Sequence, residues 1–153
     1  MKYLKRDDYK KIKSIVSELN ENTRFKMTKN FIQHGNTSVY AHTISVACAC
    51  INFVRKYKLK VDEKSLIRGA LLHDYFLYDW HDKKPQRRIH GFTHPYIACK
   101  NALEDTLLNE KEKNIIKRHM FPLTPIPPKY KEAWIVCFID KLLSLKETFR
   151  HRK

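Results

Sequence analysis

Hydrophobic residues recur at three- and four-residue spacing along most of the chain, and this spacing predicts helices. The first segment, about residues 5 to 20, is predicted as an amphipathic helix with a basic outer face, and its apolar positions are Tyr9, Ile12, Ile15, Val16 and Leu19. A second helix is predicted from Thr37 or Ser38 as N-cap to about residue 57, and Asp62 is the N-cap candidate of a third.

The second half of the chain continues the helical pattern with two interruptions. An irregular stretch rich in aromatic and basic residues occupies about residues 75 to 92. We expect the next helix to use Thr93 as N-cap and to have Pro95 in its first turn, and a short helix to begin at Asn109. The proline-rich "FPLTPIPPKY" predicts a loop before a last helix over about 131 to 150. No strand-like alternation is sustained, so the pattern predicts an all-α helical bundle.

The length and composition favour one ordinary globular domain. The chain has 153 residues, 42% hydrophobic content and 12% aromatic residues, which suit a single folded core over residues 1–153. It has only three glycines and contains no GxGxxG or Walker pattern. The familiar glycine-rich phosphate loops are therefore excluded as a means of binding nucleotides.

The apolar segments and the cysteines indicate the compartment in which the protein is expected. The N-terminal residues contain no apolar signal region, and no apolar run approaches the ~20 residues that span a bilayer, so we expect no membrane association. The four cysteines lie in apolar helical segments without CxxC spacing, which indicates free thiols in a reducing environment. A cytoplasmic protein is expected.

The net charge of +15 favours anionic partners such as phosphorylated metabolites, nucleotides or nucleic acid. The basic residues do not form one dense tract, so a solvated surface explains many of them equally well. Charge alone does not decide the function.

Several ionisable residues fall on faces that are otherwise apolar. His42 shares a helix face with valines and an alanine, the pair His73-Asp74 ends the third helix, and Asp140 follows "AWIVCFI". A buried unpaired carboxylate costs several kcal/mol, and no arginine or lysine is obviously positioned to neutralise both aspartates. Imidazole with carboxylate suits divalent iron, manganese, zinc, nickel or cobalt better than magnesium, although the sequence does not distinguish these metals.

Further imidazoles follow at suitable positions. His90 and His94 bracket a predicted helix start, and His119 ends the fifth helix. Each has an ordinary explanation when taken alone: His94 as part of a helix's first turn, and His119 as a favourable cation at a helix C-terminus. Together with His42, His73 and the aspartates they favour a metal centre.

In chain order these residues resemble the signature of the HD-domain superfamily, an all-helical metal-dependent fold named for its adjacent His-Asp pair. "YAHTISVA" and "LIRGALLHD" are similar to the family's metal-binding helices, and the likeness covers about residues 36 to 150. The segments "HDYFLYDWH", "HGFTHP" and "HMFPLTPIPPKYKE" are also similar to segments of small bacterial HD-domain proteins usually labelled phosphohydrolases. The resemblance implies four metal ligands: His42, His73, Asp74 and Asp140.

Two-metal members of the superfamily insert two more histidines between the pair and the last aspartate. His94, which precedes a proline, and His119 match them, with Asp74 bridging, so the resemblance implies one or two divalent ions per chain. His90 is a further candidate ligand. The chain lacks the "HHE" and "GYP" motifs of the cyclic-dinucleotide phosphodiesterases, which makes cyclic dinucleotides poor candidates for its substrate.

The implied chemistry is hydrolysis of a phosphate ester in a small phosphorylated or nucleotide-like substrate by a metal-activated water. Asp74 and His34 are the catalytic candidates, with His34 as general acid, although surface exposure explains His34 equally well. Candidate substrate contacts are Lys141, Arg87 and Arg88 for phosphate oxygens and Tyr78 or Trp80 for stacking; each also has a plain structural explanation.

Two other function classes stay open. Some HD-fold proteins with the same six residues are similar to mixed-valent di-iron oxygenases, and histidine with carboxylate suits iron. The second class is a nucleic-acid-binding or regulatory module with a structural metal, although the chain has no recognisable nucleic-acid motif and the ligand set contains no cysteine. Oligomeric state is not predicted.

Overall fold

The computed structural model describes residues 1–82 and 89–150. The described chain is mostly helical, and the all-α fold is confirmed. The helices are α1 Arg6–Asn22, a 3-10 helix Arg24–Asn30, α2 Val39–Tyr57, α3 Glu63–Leu72, α4 His90–Asp105, α5 Glu110–Arg118 and α6 Lys131–Arg150. A short antiparallel hairpin, β1 Ile32–His34 and β2 Thr37–Ser38, precedes α2.

Three helices begin at the polar residues that the sequence indicates. The side chains of Ser38, Asp62 and Asn109 each accept a hydrogen bond from the backbone amide three residues later, at 3.2, 3.1 and 2.8 Å. These contacts satisfy amides that have no partner within the helix. Of the two candidates ahead of α2, Ser38 is the N-cap, while Thr37 lies in β2.

The predicted start of α4 at Thr93 is wrong, because the helix begins at His90. The backbone amides of Phe92 and Thr93 already bond to the carbonyl oxygen of Ile89, at 3.0 and 3.1 Å. Pro95 therefore lies inside the helix and not in its first turn. A proline lacks an amide proton and costs the helix a hydrogen bond there, which is why the pattern favoured the later start.

The hairpin was not predicted from the sequence. Its two strands contain five paired or bridging residues in all, too few to show an alternating pattern. Gly35 makes the turn with a φ of 56°, a left-handed conformation that glycine adopts readily. The hairpin places Gln33 and His34 beside the first turns of α2, which matters for the site described below.

The hydrophobic core lies between α2, α3, α5 and α6, and α1 packs on it through Ile12, Ile15 and Leu19. Tyr9, assigned by its spacing to the same face of α1, is half exposed.

All four cysteines are free thiols. Within the described residues, no helix combines the length and apolar character needed to cross a bilayer.

The α3 and α5 helices make a very close contact at Gly69. A Cβ atom added at this position would lie 2.9 Å from Cβ of Ile115, closer than packed carbon atoms normally come. Gly69 is thus required by packing, since any side chain would push the helices apart. The contact matters because α3 leads into His73 and Asp74, while α5 leads into His119.

Candidate metal centre

The helices bring six ionisable side chains together at one end of the core. His42 lies on α2, His73 and Asp74 follow α3, His94 lies on α4, His119 caps α5 and Asp140 lies on α6. All are buried, with at most 6% of the residue exposed. These are six of the seven candidate ligands from the sequence analysis; the seventh is His90.

Among the described residues, the cluster divides into two groups whose potential ligand atoms lie within 4.8 Å of one another. The first group is His42, His73, Asp74 and Asp140, and the second is Asp74, His94 and His119. Asp74 is common to both. The donor types, imidazole nitrogen and carboxylate oxygen, suit first-row divalent metals.

The carboxylate of Asp74 offers one oxygen to each group. Its Oδ2 lies 3.1 Å from Nε2 of His73 and 3.8 Å from Nε2 of His42. Its Oδ1 lies 3.1 Å from Nε2 of His94 and 3.3 Å from Nε2 of His119. The carboxylate therefore stands between two sets of imidazoles, in a position from which it could bridge two ions.

Three of the imidazoles are oriented in the same way by the backbone. Nδ1 of His73, His94 and His119 each donates a hydrogen bond to a carbonyl oxygen three or four residues earlier, at 2.6, 2.8 and 2.7 Å. A proton on Nδ1 leaves the lone pair of a neutral imidazole on Nε2. In all three residues Nε2 points into the cluster, which is the arrangement that metal-binding histidines need.

His42 is oriented by a carboxylate instead. Its Nδ1 lies 3.0 Å from Oε2 of Glu147, and its Nε2 lies 2.9 Å from Oδ1 of Asp140. Burial by itself lowers the pKa of His42, but the hydrogen bonds to Asp140 and Glu147 outweigh burial and raise the pKa to about 9.

Unsatisfied polar atoms test whether this cluster fits a cation. Nε2 of His73 and Oδ1 of Asp74 are buried without a hydrogen-bond partner. Nε2 of His94 and Nε2 of His119 lie 2.8 Å apart, and in neutral rings that use Nδ1 as donor two lone pairs would face each other. Buried atoms of this kind are costly unless something positive lies among them. The residues fit a bound divalent metal.

The two aspartates are ionised in this environment. Burial raises the pKa of Asp74 and of Asp140, but the neighbouring imidazoles, His73 foremost, hold both well below the usual value. Burial also lowers the pKa of His119. At neutral pH the cluster therefore presents deprotonated carboxylates and a neutral His119, the forms in which these side chains bind metals.

A cavity of about 800 Å³ opens onto the cluster. Asp74, His94 and Asp140 form part of its lining, so both groups of ligands reach the cavity. The remaining lining includes His34, Trp80, His90 and Lys141, together with a set of apolar side chains. A substrate in this cavity would lie directly against the candidate metal ligands.

His34 and Gln33 reach the cavity from the hairpin. The His34 ring is half-buried and lies edge-on to the His42 ring, with centroids 5.8 Å apart; burial, and then His42, lower the pKa of His34. Gln33 was not singled out from the sequence. Its Nε2 donates a hydrogen bond of 2.6 Å to Oδ2 of Asp74, and the residue is 6% exposed.

The candidate substrate contacts have specific surroundings. The Lys141 ammonium group faces three protein acceptors, the carbonyl oxygen of His119 at 2.9 Å and the carbonyl oxygen and Sγ of Cys137 at 3.3 and 3.1 Å. The hydrogen bond from Lys141 to the carbonyl oxygen of His119 therefore stabilises the end of α5. Arg87 and Arg88 lie outside the described residues.

The aromatic candidates Trp80 and Tyr78 both contact His90 beside the cluster. Trp80 donates from Nε1 to the carbonyl oxygen of Ile32 at 3.1 Å, and its ring is parallel to the His90 ring, with centroids 4.9 Å apart. The His90 ring in turn stacks on His94 at 4.4 Å, and its Nδ1 lies 2.8 Å from the Tyr78 hydroxyl. His90 is in neither group of potential ligand atoms.

The family model described as HD domain matches residues 39–145, most of the chain. The chain belongs to the HD domain family. The matched segment of this HD domain runs from the first residue of α2 into α6 and contains all six clustered residues. Neither the curated proteins nor the solved structures contain a match to the chain.

Three residues near the cluster, Gln33, His34 and Glu147, lie outside the segment matched by the HD domain. Glu147 follows Asp140 by seven residues on α6, a spacing of two helical turns that places both on one face. This spacing was a usable signal in the sequence. Gln33 gave none, because its contact with Asp74 depends on the path of the hairpin.

Proposed function

We propose that this HD domain is a metal-dependent phosphohydrolase with two divalent ions, which cleaves the phosphate ester of a small substrate. One observation carries the proposal: Asp74 directs its two carboxylate oxygens to separate groups of imidazoles beside a cavity of about 800 Å³. Members of the family are generally hydrolases, which agrees with this assignment.

The ligand roles follow from the two groups. His42, His73, Asp74 and Asp140 would hold one ion, and Asp74, His94 and His119 would hold the second. Bound divalent ions would supply an activated water molecule and would neutralise charge on the phosphoryl group. The protein's own part is to keep the two carboxylates ionised and to hold the imidazoles correctly oriented.

The surrounding residues take supporting roles in this proposal. Gln33 fixes the Asp74 carboxylate through its amide, and Lys141 fixes the end of α5 beside His119. His34 lines the cavity and is the candidate general acid that gives a proton to the leaving oxygen of the ester; because burial and His42 lower its pKa, this role should be strongest at acidic pH. Trp80 forms part of the cavity wall, where it would contact the organic group of the substrate.

A phosphate-release screen tests the proposal. The protein is assayed against nucleotides, sugar phosphates and simple phosphate esters with manganese, iron or magnesium added, and His73→Ala serves as the matched inactive variant. Metal-dependent release that His73→Ala abolishes is expected. Absence of release from every ester by protein with metal bound would contradict the proposal.

The nitrogen-rich ligand set also supports a second candidate, an oxygenase that uses two irons. Four imidazoles and two carboxylates make up the two groups, and this combination suits iron. An oxygen electrode separates the two functions. Oxygen uptake with an organic substrate, without phosphate release, would favour the oxygenase; phosphate release without oxygen uptake would favour the hydrolase.

A further inference from the structure

The cavity wall beyond the metal cluster is largely apolar. Its apolar side chains come from three places in the chain, the segment after α3, the loop between α5 and α6, and α6 itself: Trp80, Met120, Pro122, Leu123 and Leu145. Leu123 and Leu145 are 46% and 55% exposed, so they have apolar surface that a ligand could bury.

The described part of the cavity contains little positive charge. Lys141 is the one lysine or arginine among the described residues that line it, and its ammonium donors already face protein acceptors. Bound metal ions would pair with one phosphate group, whereas a further charged group against the described part of the wall would meet mainly carboxylates and hydrocarbon. Burying such charge without a partner is costly.

The volume of the cavity exceeds what a phosphate group alone would occupy. At about 800 Å³ it falls in the range of pockets that enclose small organic ligands of moderate size. Space lined by leucine, methionine and proline favours hydrocarbon, since each buried apolar group gains free energy by leaving water.

We propose that the substrate is a phosphate monoester whose organic group is apolar, an alkyl or aryl alcohol. This inference rests on the proposed function and narrows its substrate class. Water attacks phosphorus, the ester P–O bond breaks, and its electron pair leaves with the alcohol oxygen, which takes up a proton. The products are the free alcohol and inorganic phosphate.

A series of straight-chain alkyl phosphates tests the inference. Ethyl, butyl and hexyl phosphate have leaving groups of similar basicity, so differences in kcat/KM report contacts with the organic group. If each added methylene is fully buried, kcat/KM should rise by up to about fourfold per methylene. Adenosine triphosphate should be a poorer substrate than hexyl phosphate.

Substitutions in the cavity wall test whether its leucines cause the dependence of kcat/KM on chain length. Leu123→Ala combined with Leu145→Ala should reduce the gain in kcat/KM per methylene. Leu107→Ala is the matched control, because Leu107 is 92% exposed and does not line the cavity. Hexylphosphonate, which has no ester bond to cleave, should inhibit more strongly than ethylphosphonate and should lose this advantage in the double variant.

The possible failures are distinguishable. Phosphate release that does not increase with chain length would overturn the apolar substrate class and leave the phosphohydrolase in place. A chain-length effect that the double variant does not reduce would overturn the assignment to this wall. No release from any ester by metal-loaded protein would overturn the proposed function, and the present inference with it.

Discussion

Glu147 accepts a hydrogen bond from Nδ1 of His42 across 3.0 Å, joining the end of α6 to the first turn of α2. The contact turns Nε2 of His42 toward Asp140 and the rest of the first group. A carboxylate behind a metal-binding histidine fixes the ring and makes its free nitrogen a stronger ligand. Glu147 is therefore expected to be a positioning residue for the first metal site.

Glu147→Ala should weaken metal binding by about 10- to 100-fold. Glu147→Gln should reduce the metal affinity less, since the amide oxygen still accepts a hydrogen bond from Nδ1 of His42. Isothermal titration with Mn²⁺ measures both, and Glu21→Ala, at an exposed glutamate on α1, is the control. Unchanged affinity in Glu147→Ala would show that the contact does not position His42 for metal binding.

Gln33→Met should also weaken metal binding, by about tenfold, while leaving the fold intact. The methionine has a similar length but cannot donate to Oδ2 of Asp74, so the carboxylate loses the contact that fixes its orientation. Mn²⁺ titration and a thermal melt are the two measurements. A lower melting temperature with unaltered metal affinity would mean that Gln33 has only a structural role.

His34→Gln should lower kcat for alkyl phosphates by about 10²- to 10⁴-fold, because their leaving oxygen needs a proton. The loss should be much smaller for p-nitrophenyl phosphate, whose leaving group is stable as an anion. Metal content should stay at the wild-type level, since His34 is in neither ligand group. An equal loss for both esters would argue against general acid catalysis by His34.

Gly69→Ala should destabilise the protein by about 1–3 kcal/mol, because the added methyl group would overlap Ile115. Urea unfolding measures the loss. In the double variant with Ile115→Ala the loss of stability should be smaller than the sum of the two single losses, since alanine keeps Cβ but lacks the Cγ2 and Cδ1 atoms that the added methyl group would also overlap. Simple additivity would show that the α3–α5 contact is more compliant than the structure indicates.

The sequence was informative where a residue conflicted with its local pattern. Buried carboxylates and imidazoles on apolar helix faces pointed to the metal cluster, and polar residues ahead of apolar runs located three helix starts. The resemblance to HD domains implied that Asp74 bridges, but local rules could not give its division between two groups, because this depends on how five helices pack. They also misplaced the start of α4, where Pro95 lies inside the helix.

Contacts made across the fold were the ones that the pattern missed. The bond from Gln33 to Asp74 joins residues 41 positions apart through a hairpin too short to recognise. Lys141 lines the cavity, and its predicted contact with phosphate stays a prediction, but the sequence gave no sign that its ammonium group faces the carbonyl oxygens of His119 and Cys137. In both cases the partner is set by tertiary packing, which neither spacing nor composition reveals.

The most direct measurement is elemental metal analysis of anaerobically purified wild-type protein, His119→Ala and Asp74→Ala, each checked for folding by circular dichroism. The two-group arrangement around Asp74 predicts about two metal ions per chain in the wild type, about one in His119→Ala and almost none in Asp74→Ala. Full metal content in folded Asp74→Ala, or no metal in the wild type, would contradict the binuclear centre.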